Sequence, residues 1–257
     1  MKHITLITLS FSIAACSSSS SSPATTADYE DTAQTISASI VTSGTSGGGG
    51  DLVAMADAAS IALGRLPLGF LLGSDGRVHG TLLGVDNSFM ITCKNAAGTV
   101  LATCDSTTDS ATVNLKQSGS LQTPSLMASV DREANWTITG LQSATATFNG
   151  DSSFSLDTTL QSVFHQGVTS TFTFDAMAAY QAITIATQDR QITGGSASFE
   201  VTAHRTVTTA MGSNNVDKSF DVQADLTFHA DHTATLVLDG THTFTIDLTT
   251  GKITKVS

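Results

Sequence analysis

Apolar and polar residues alternate with a period of two along the C-terminal part of the chain. Side chains of a β-strand point to opposite faces in turn, so this alternation predicts strands with one apolar face. Asp239-Gly240 and "TTGK" supply turns between the runs, which predicts consecutive antiparallel hairpins. The apolar positions of the clearest runs are Val222, Ala224, Leu226 and Phe228, then Ala234, Leu236 and Leu238, then Phe244, Ile246 and Leu248.

The same alternation begins at about Leu68 and recurs through the rest of the chain, for example at Phe172 and Phe174. Short connections such as "NGDSS" and "TGGS" indicate that neighbouring strands in sequence also pair in space. We therefore predict a mainly β fold: an antiparallel meander of about ten to thirteen strands. A curved sheet or a closed barrel would cover its apolar face and protect its edges.

Two segments before the strands have helical periodicity. Residues 28–42 place Tyr29, Ala33, Ile36 and Ile40 at spacings of three and four, and residues 51–64 repeat the pattern after Asp51. "SGTSGGGG" separates them as a glycine-rich hinge. Because each apolar stripe is narrow, we expect one or two short helices packed on the sheet.

The N-terminus has a pattern of its own. Lys2 is followed by an uncharged apolar stretch, residues 4–15, which is too short to span a bilayer as a helix but suits the core of a secretory signal peptide. It ends at Ile13-Ala14-Ala15-Cys16. A serine run and Pro23 follow at once, a composition typical of a solvated tether.

Ile13-Ala14-Ala15-Cys16 resembles the lipobox of bacterial lipoproteins, in which a branched aliphatic and two small residues precede a cysteine. The resemblance implies that the Cys16 thiol is acylated, that the leader is removed and that Cys16 becomes the N-terminus. Several acyl chains would anchor the protein firmly to a membrane. In that family an aspartate after the cysteine favours retention in the inner membrane, so Ser17 favours the outer membrane, on its periplasmic face or at the cell surface. The alternative is a secreted protein cut at an Ala-x-Ala-like site.

These patterns predict four regions. Residues 1–15 are a lipoprotein signal peptide, 16–27 a serine-rich tether, 28–65 a helical segment with the glycine-rich hinge, and 66–257 an antiparallel β domain. A transmembrane barrel is disfavoured, because the alternating runs are about eight or nine residues long and show no aromatic girdles.

Composition restricts the partners. The formal net charge is −11, so phosphate should repel the chain and nucleic acid is not an expected partner. With Cys16 acylated, Cys93 and Cys104 remain as a pair. In an oxidising compartment they predict a disulfide that closes a short hairpin, with buried free thiols as the alternative. A turn at residues 96–98 would place Cys93 opposite Leu101, so the bond requires a bend near Ala102.

His229, Asp231 and His232 in "FHADHT", with His242 on the next strand, are a weak candidate for a zinc or copper site. The favoured interpretation is an ordinary turn, with Asp231 at the bend and His232 in a conformation that suits glycine. The alternation places His242 toward the apolar face and His229 away from it. The sequence indicates no cofactor.

The leading functional hypothesis is a membrane-anchored lipoprotein of the bacterial envelope, non-enzymatic, with a binding or structural β domain and possible apolar ligand. An envelope hydrolase with an unrecognised site and a surface adhesion module are the alternatives. The residues do not identify a partner protein or a specific ligand, and no catalytic residues are assigned.

Overall fold

The computed structural model describes residues 22–41, 50–82, 84–123, 126–165, 167–207 and 216–256. The predicted leader, the start of the tether with Cys16, and nearly all of the glycine-rich hinge lie outside the described residues. Neither helix among the described residues has the length and apolar character that crossing a membrane requires.

Two helices precede the strands: α1 (Thr26–Ile40) and α2 (Asp51–Ala62). The strands are β1 (Leu71–Leu72), β2 (Val78–Leu82), β3 (Val85–Asn95), β4 (Thr108–Thr123), β5 (Leu126–Thr139), β6 (Thr145–Gln161), β7 (Thr169–Ala186), β8 (Ile192–Val207), β9 (Val216–Phe228), β10 (Thr233–Leu238), β11 (His242–Asp247) and β12 (Ile253–Lys255).

The described strands form one antiparallel sheet in which every strand pairs with its neighbours in sequence. The sheet is curved and open, with β1 and β12 at its edges, so the predicted meander is confirmed as a curved sheet and not as a closed barrel. Both edge strands are very short, which limits the backbone they expose for pairing with another chain.

The two helices fill the concave face of the sheet. α2 packs on β3 and β4, and α1 packs on α2 and on β10, β11 and β12. Inward-facing aromatic side chains of the sheet complete the core around them. The largest of these buried rings belong to Phe89, Trp136, Phe148, Phe172, Phe174, Tyr180, Phe199, Phe220 and Phe244.

α1 begins two residues before the predicted start. The backbone N–H of Thr25 donates to the Asp28 carboxylate, 2.6 Å away, which completes a capping box at the helix N-terminus. Ala33, Ile36 and Ile40 are fully buried, as the apolar stripe predicts. Most polar residues of α1 are buried as well, because the curved sheet surrounds the helix on more than one side.

The strands from β4 to β9 have 13 to 18 residues, so the predicted length of eight or nine is wrong. The period of two continues along most of each strand, with a shift of phase in β7 where Gln181 and Ala182 are both exposed. Several inward positions are polar and interrupt the apolar alternation. Gln117, Arg132, Ser152, Ser170 and Arg205 are buried at such positions. Four of them contact carboxylates of the helices, and Gln117 bonds to Asn87 and Arg132. The strand sequences alone do not reveal these partners.

Candidate functional site

Carboxylates of α1 form ion pairs with basic residues of the sheet inside the concave face. Asp28 pairs with Lys218 and, at 3.1 Å, with Nη1 of Arg205. Nε of Arg205 lies 2.8 Å from Asp31, which also accepts a hydrogen bond from the Ser170 hydroxyl. Both aspartates are fully buried. One arginine of β8 therefore holds two buried charges of α1.

The two aspartates differ in pKa. Burial acts to raise the pKa of Asp28, but hydrogen bonds from Lys218 and Thr25 outweigh it, so this pKa is lowered. Burial also acts on Asp31, and there it outweighs Arg205 and raises the pKa. The Asp28 carboxylate is thus held ionised, whereas Asp31 takes up a proton more readily.

Glu30, on the same helix, contacts two other parts of the fold. Its carboxylate lies 2.6 Å from Nε2 of His165, in the connection after β6, and 2.9 Å from the Lys255 ammonium on β12. Burial acts to raise the pKa of Glu30, but Lys255 and His165 outweigh it and lower the pKa. These contacts tie α1 to the last strand of the sheet.

α2 is attached by Asp51 at its N-terminus. This fully buried carboxylate lies 3.2 Å from Nε of Arg132 and accepts hydrogen bonds from the hydroxyls of Tyr180 and Ser152. Burial, with Asp51 beside the ring hydroxyl, raises the pKa of Tyr180 well above its usual value. The cluster is enclosed, so its groups serve the attachment of α2 to the sheet.

A cleft open to solvent lies where α2 ends, beside the β5–β6 and β7–β8 connections of the sheet. Two adjoining cavities, of about 230 and 420 Å³, share the wall formed by Leu63, Arg65, Thr187 and Gln188. The smaller cavity has an apolar floor of small and aliphatic side chains. Those floor residues are Ala56, Ala59, Ala146 and Ile185.

Two arginines, Arg65 and Arg190, line the smaller cavity. The Arg65 guanidinium makes no hydrogen bond or ion pair with any described residue. Arg190 pairs with Asp57 of α2 through one terminal nitrogen, which leaves other donors of its planar group available. Arg190 has a φ of 62°, a conformation that costs free energy for a residue other than glycine. Two guanidiniums above an apolar floor suit a small ligand with an acid group and an aliphatic body.

Two aspartates that are close in sequence to residues lining the cleft do not pair with Arg65. Asp105 accepts hydrogen bonds from the backbone and hydroxyl of Thr107, and Asp189 accepts one from the backbone of Gln191. Burial raises the pKa of Asp57 more than Arg190 lowers it. The cleft thus has one unpaired cation in a chain whose formal net charge is −11.

The convex face of the sheet is polar and open to solvent. Serine, threonine and acidic side chains occupy most of its exposed positions along β4 to β9. A shallow depression of about 320 Å³ on this face is lined by Asp131, Glu133, Asp175 and Glu200. These four carboxylates are exposed to solvent and form part of an acidic surface.

The four residues of the weak metal candidate do not converge. His229 Nε2 lies 2.9 Å from the Thr235 hydroxyl, and Asp231 accepts hydrogen bonds from Thr233. The His242 ring stacks on Tyr29 of α1, with ring centroids 3.9 Å apart. In the described part of the chain, no group of three or more His, Cys, Asp or Glu side chains is placed to hold a metal ion.

The backbone at this turn agrees with the sequence prediction. His232 has a φ of 62°, the conformation in which glycine is usually found. His242 lies on the concave side, against Tyr29, and His229 lies with Thr235 on the opposite side of the sheet. The predicted orientations of both histidines are confirmed.

The structure joins Cys93 and Cys104 in a disulfide with Cα atoms 5.4 Å apart. The backbone N–H of Leu101 donates to the Cys93 carbonyl, so Leu101 lies opposite Cys93. The chain then bends at residues 102 and 103 and returns Cys104 toward its partner. This is the bend near Ala102 that the hairpin register requires.

No described imidazole contacts both a hydroxyl and a carboxylate, the arrangement that an acid–base triad needs. The rings of His229 and His242 meet threonine hydroxyls, at Thr235 and Thr241. Three other described histidine rings meet carboxylates and no hydroxyl. These pairs are His79 with Asp75, His165 with Glu30, and His204 with Asp217.

Sequence reasoning missed Arg65 and Arg190. Each is an isolated basic residue in a polar or turn-like context, in "LGRLP" and "TQDRQ", with no periodic or motif signal. Comparison with protein-family models, with curated proteins and with solved structures finds no match to this chain. The candidate site is therefore defined by geometry alone. It is a cleft lined by two arginines at one end of an antiparallel sheet, whose concave face holds two ion-paired helices.

Proposed function

We propose that this chain is a membrane-anchored lipoprotein of the bacterial envelope, held by acyl chains on Cys16, and that its β domain binds a ligand without catalysing a reaction. The observation that carries the proposal is the lipobox-like Ile13-Ala14-Ala15-Cys16. The outer membrane is the proposed location, because Ser17 is not an aspartate.

The start of the folded domain supports the anchor. The backbone N–H of Ser22 donates to the Ser219 carbonyl at 2.9 Å, so residue 22 is already attached to β9. Only five residues lie between it and Cys16, and the six Cα-to-Cα steps reach at most about 22 Å. Acyl chains on Cys16 would hold the domain close to the bilayer surface.

Because two helices already fill the concave face of the sheet, a ligand site outside that face is favoured. α1 and α2 occupy that face, and their buried carboxylates are paired with Arg132, Arg205 and Lys218. A ligand inside the sheet would have to displace the helices and leave these charges unpaired, which is costly. The cleft lined by Arg65 and Arg190 is open, so we assign it as the ligand site.

The chemistry of the cleft favours a small aliphatic carboxylic acid. Its cavity of about 230 Å³ is smaller than those that hold drug-sized molecules. The alanines and Ile185 of the floor would contact the aliphatic part, and Arg65 would bind the carboxylate through charge-assisted hydrogen bonds.

The anchor is tested by metabolic labelling with a radioactive fatty acid and by membrane fractionation. Wild type should take up label and sediment with the outer membrane, whereas Cys16→Ser should take up none. Ser18→Ala, two residues away, is the matched control and should remain labelled. An unlabelled wild-type protein, or one that stays soluble, would contradict the proposed anchor.

The ligand site is tested by titrating the protein with hexanoate and following the NMR signals of alanine methyl groups. Hexanoate should shift the signals of Ala56, Ala59 and Ala146. Arg65→Gln should weaken binding at least about tenfold, since a charge-assisted hydrogen bond contributes on the order of 1.5–3 kcal/mol. The Arg65 guanidinium pairs with no residue in the described part of the chain, so this change should leave stability intact.

Lys252→Gln removes another solvent-exposed cation as a control and should bind hexanoate like wild type. Hexanol, which has the aliphatic chain without the charge, should bind more weakly than hexanoate. Equal binding of hexanol and hexanoate, or shifts at residues far from the cleft, would show that the assignment of the site is wrong.

A further inference from the structure

Four leucines stand exposed in a seven-residue segment, Leu66 to Leu72, which we call the leucine loop. Leu66 is 50% exposed, Leu68 102%, Leu71 73% and Leu72 67%. Other large apolar residues that are exposed in the described part of the chain are scattered singly. Exposed apolar side chains clustered in one short segment are typical of a contact with a partner or a membrane.

The loop cannot fold back to cover its leucines. Phe70, in its middle, is 4% exposed and packs 6.1 Å from the Phe89 ring. Gly80 makes room for the Phe70 ring, since a Cβ there would lie 2.5 Å from it. At the tip, Gly69 has a φ of 85° and no atom within 4 Å of where its Cβ would be. Phe70 thus fixes the loop while its tip projects into solvent.

The directions in which the leucine side chains point favour contact with lipid over contact with a protein surface. Leu71 and Leu72 are successive residues of β1, so their side chains point to opposite faces of the sheet edge. Both are exposed, because β1 is an edge strand with only β2 beside it. A flat protein surface would cover one of these faces, whereas lipid can surround a projecting edge on both.

We propose that the leucine loop inserts into the interface of the bilayer to which Cys16 anchors the chain, and so orients the domain on the membrane. This inference rests on the proposed function. Because Ser22 is bonded to β9 and lies six residues from Cys16, the anchor would keep the whole domain at the membrane surface. Insertion of the leucines then becomes an intramolecular event at high effective concentration. The acyl chains and the loop would act as two attachment points.

The test uses the mature, acylated protein reconstituted into phosphatidylcholine vesicles whose acyl chains carry bromine, which quenches nearby tryptophan fluorescence. The reporter is Leu68→Trp, and Met177→Trp on the convex face is the matched control because Met177 is 64% exposed. The native Trp136 is 2% exposed and gives a constant background. Quenching should be several-fold stronger at position 68 than at 177. Adding Leu66→Ser, Leu71→Ser and Leu72→Ser to the reporter should reduce that quenching several-fold.

Flotation of the same vesicles separates the two proposals. Protein that floats while position 68 is quenched no more than position 177 overturns the loop proposal and leaves the anchor intact. Protein that does not float overturns both the anchor and the insertion of the loop. If position 68 is unquenched and sedimentation shows a dimer that Leu68→Ser dissociates, the occupant of the loop is a second copy of the chain and the membrane proposal is wrong.

Discussion

Replacing Arg205 by alanine is expected to lower the free energy of unfolding by about 3–5 kcal/mol at neutral pH, the usual cost of breaking a buried ion pair from one side. Arg205 contacts both Asp28 and Asp31, and neither carboxylate is exposed. Asp28 keeps Lys218, but Asp31 keeps only the Ser170 hydroxyl. Urea unfolding of wild type and variant measures the difference.

The loss should be smaller at acidic pH. The pKa of Asp31 is already raised by burial in the native protein, and removal of Arg205 raises it further. A group whose folded-state pKa lies above its unfolded value favours the folded state more as pH falls. Protonation of the unpaired Asp31 should therefore restore part of the lost stability below neutral pH.

Lys116→Ala is the matched control, because Lys116 pairs with Glu133 at 2.6 Å on the exposed convex face. An exposed pair contributes about 0–1 kcal/mol, so this variant should lose little. Asp31→Asn combined with Arg205→Met should recover much of the stability, since Asp28 keeps its ion pair with Lys218 and no buried carboxylate is left unpaired. If Arg205→Ala lost no more stability than Lys116→Ala, the proposed role of Arg205 in holding α1 would be wrong.

Removing the disulfide by Cys93→Ala with Cys104→Ala is expected to cost about 3 kcal/mol, from the chain entropy regained by the unfolded state. The two cysteines are 11 residues apart, which sets the size of the loop that the bond closes. Urea unfolding measures the loss. Wild type treated with dithiothreitol should lose a similar amount, and dithiothreitol should not change the double variant.

Thiol titration of the denatured, unreduced mature protein gives an independent check. Cys16 is acylated in the proposed mature form, so no free thiol is expected. Two reactive thiols, together with a wild-type stability that dithiothreitol leaves unchanged, would mean that Cys93 and Cys104 are not bonded.

Local sequence carried much of the information on the fold. The alternation from Val222 to Leu248 predicts β9, β10 and β11, and the structure pairs them in that order. Asp239 and Gly240 have φ values of 46° and 67°, as expected of a tight hairpin turn that requires left-handed backbone at both positions. These features depend on residues close together in the chain, and a period or a turn signal reveals them.

The length of the central strands could not be predicted from local alternation. Arg132 and Arg205 occupy inward positions where an apolar residue is expected, so the alternation looks interrupted there. Their partners, Asp51 on α2 and Asp28 and Asp31 on α1, are far away in sequence. A charge is tolerated inside the sheet only because an opposite charge from another element meets it.

The candidate sites divide in the same way. Acylation of Cys16 is predicted from a local motif, and the disulfide between Cys93 and Cys104 is predicted from two cysteines close together in the chain. Arg65 and Arg190 meet at one cleft only because α2 and the β7–β8 turn come together in the fold. No periodicity links them.

By itself, the sequence determined the mainly β class and the order of the meander, because both follow from contacts between near neighbours. The location in the envelope stays a prediction from a short motif. Only the tertiary structure decided that the sheet stays open around two helices, that their carboxylates are buried as ion pairs, and that Leu66 to Leu72 project outward. Burial and charge pairing depend on which distant residues meet, and a one-dimensional pattern does not contain that information.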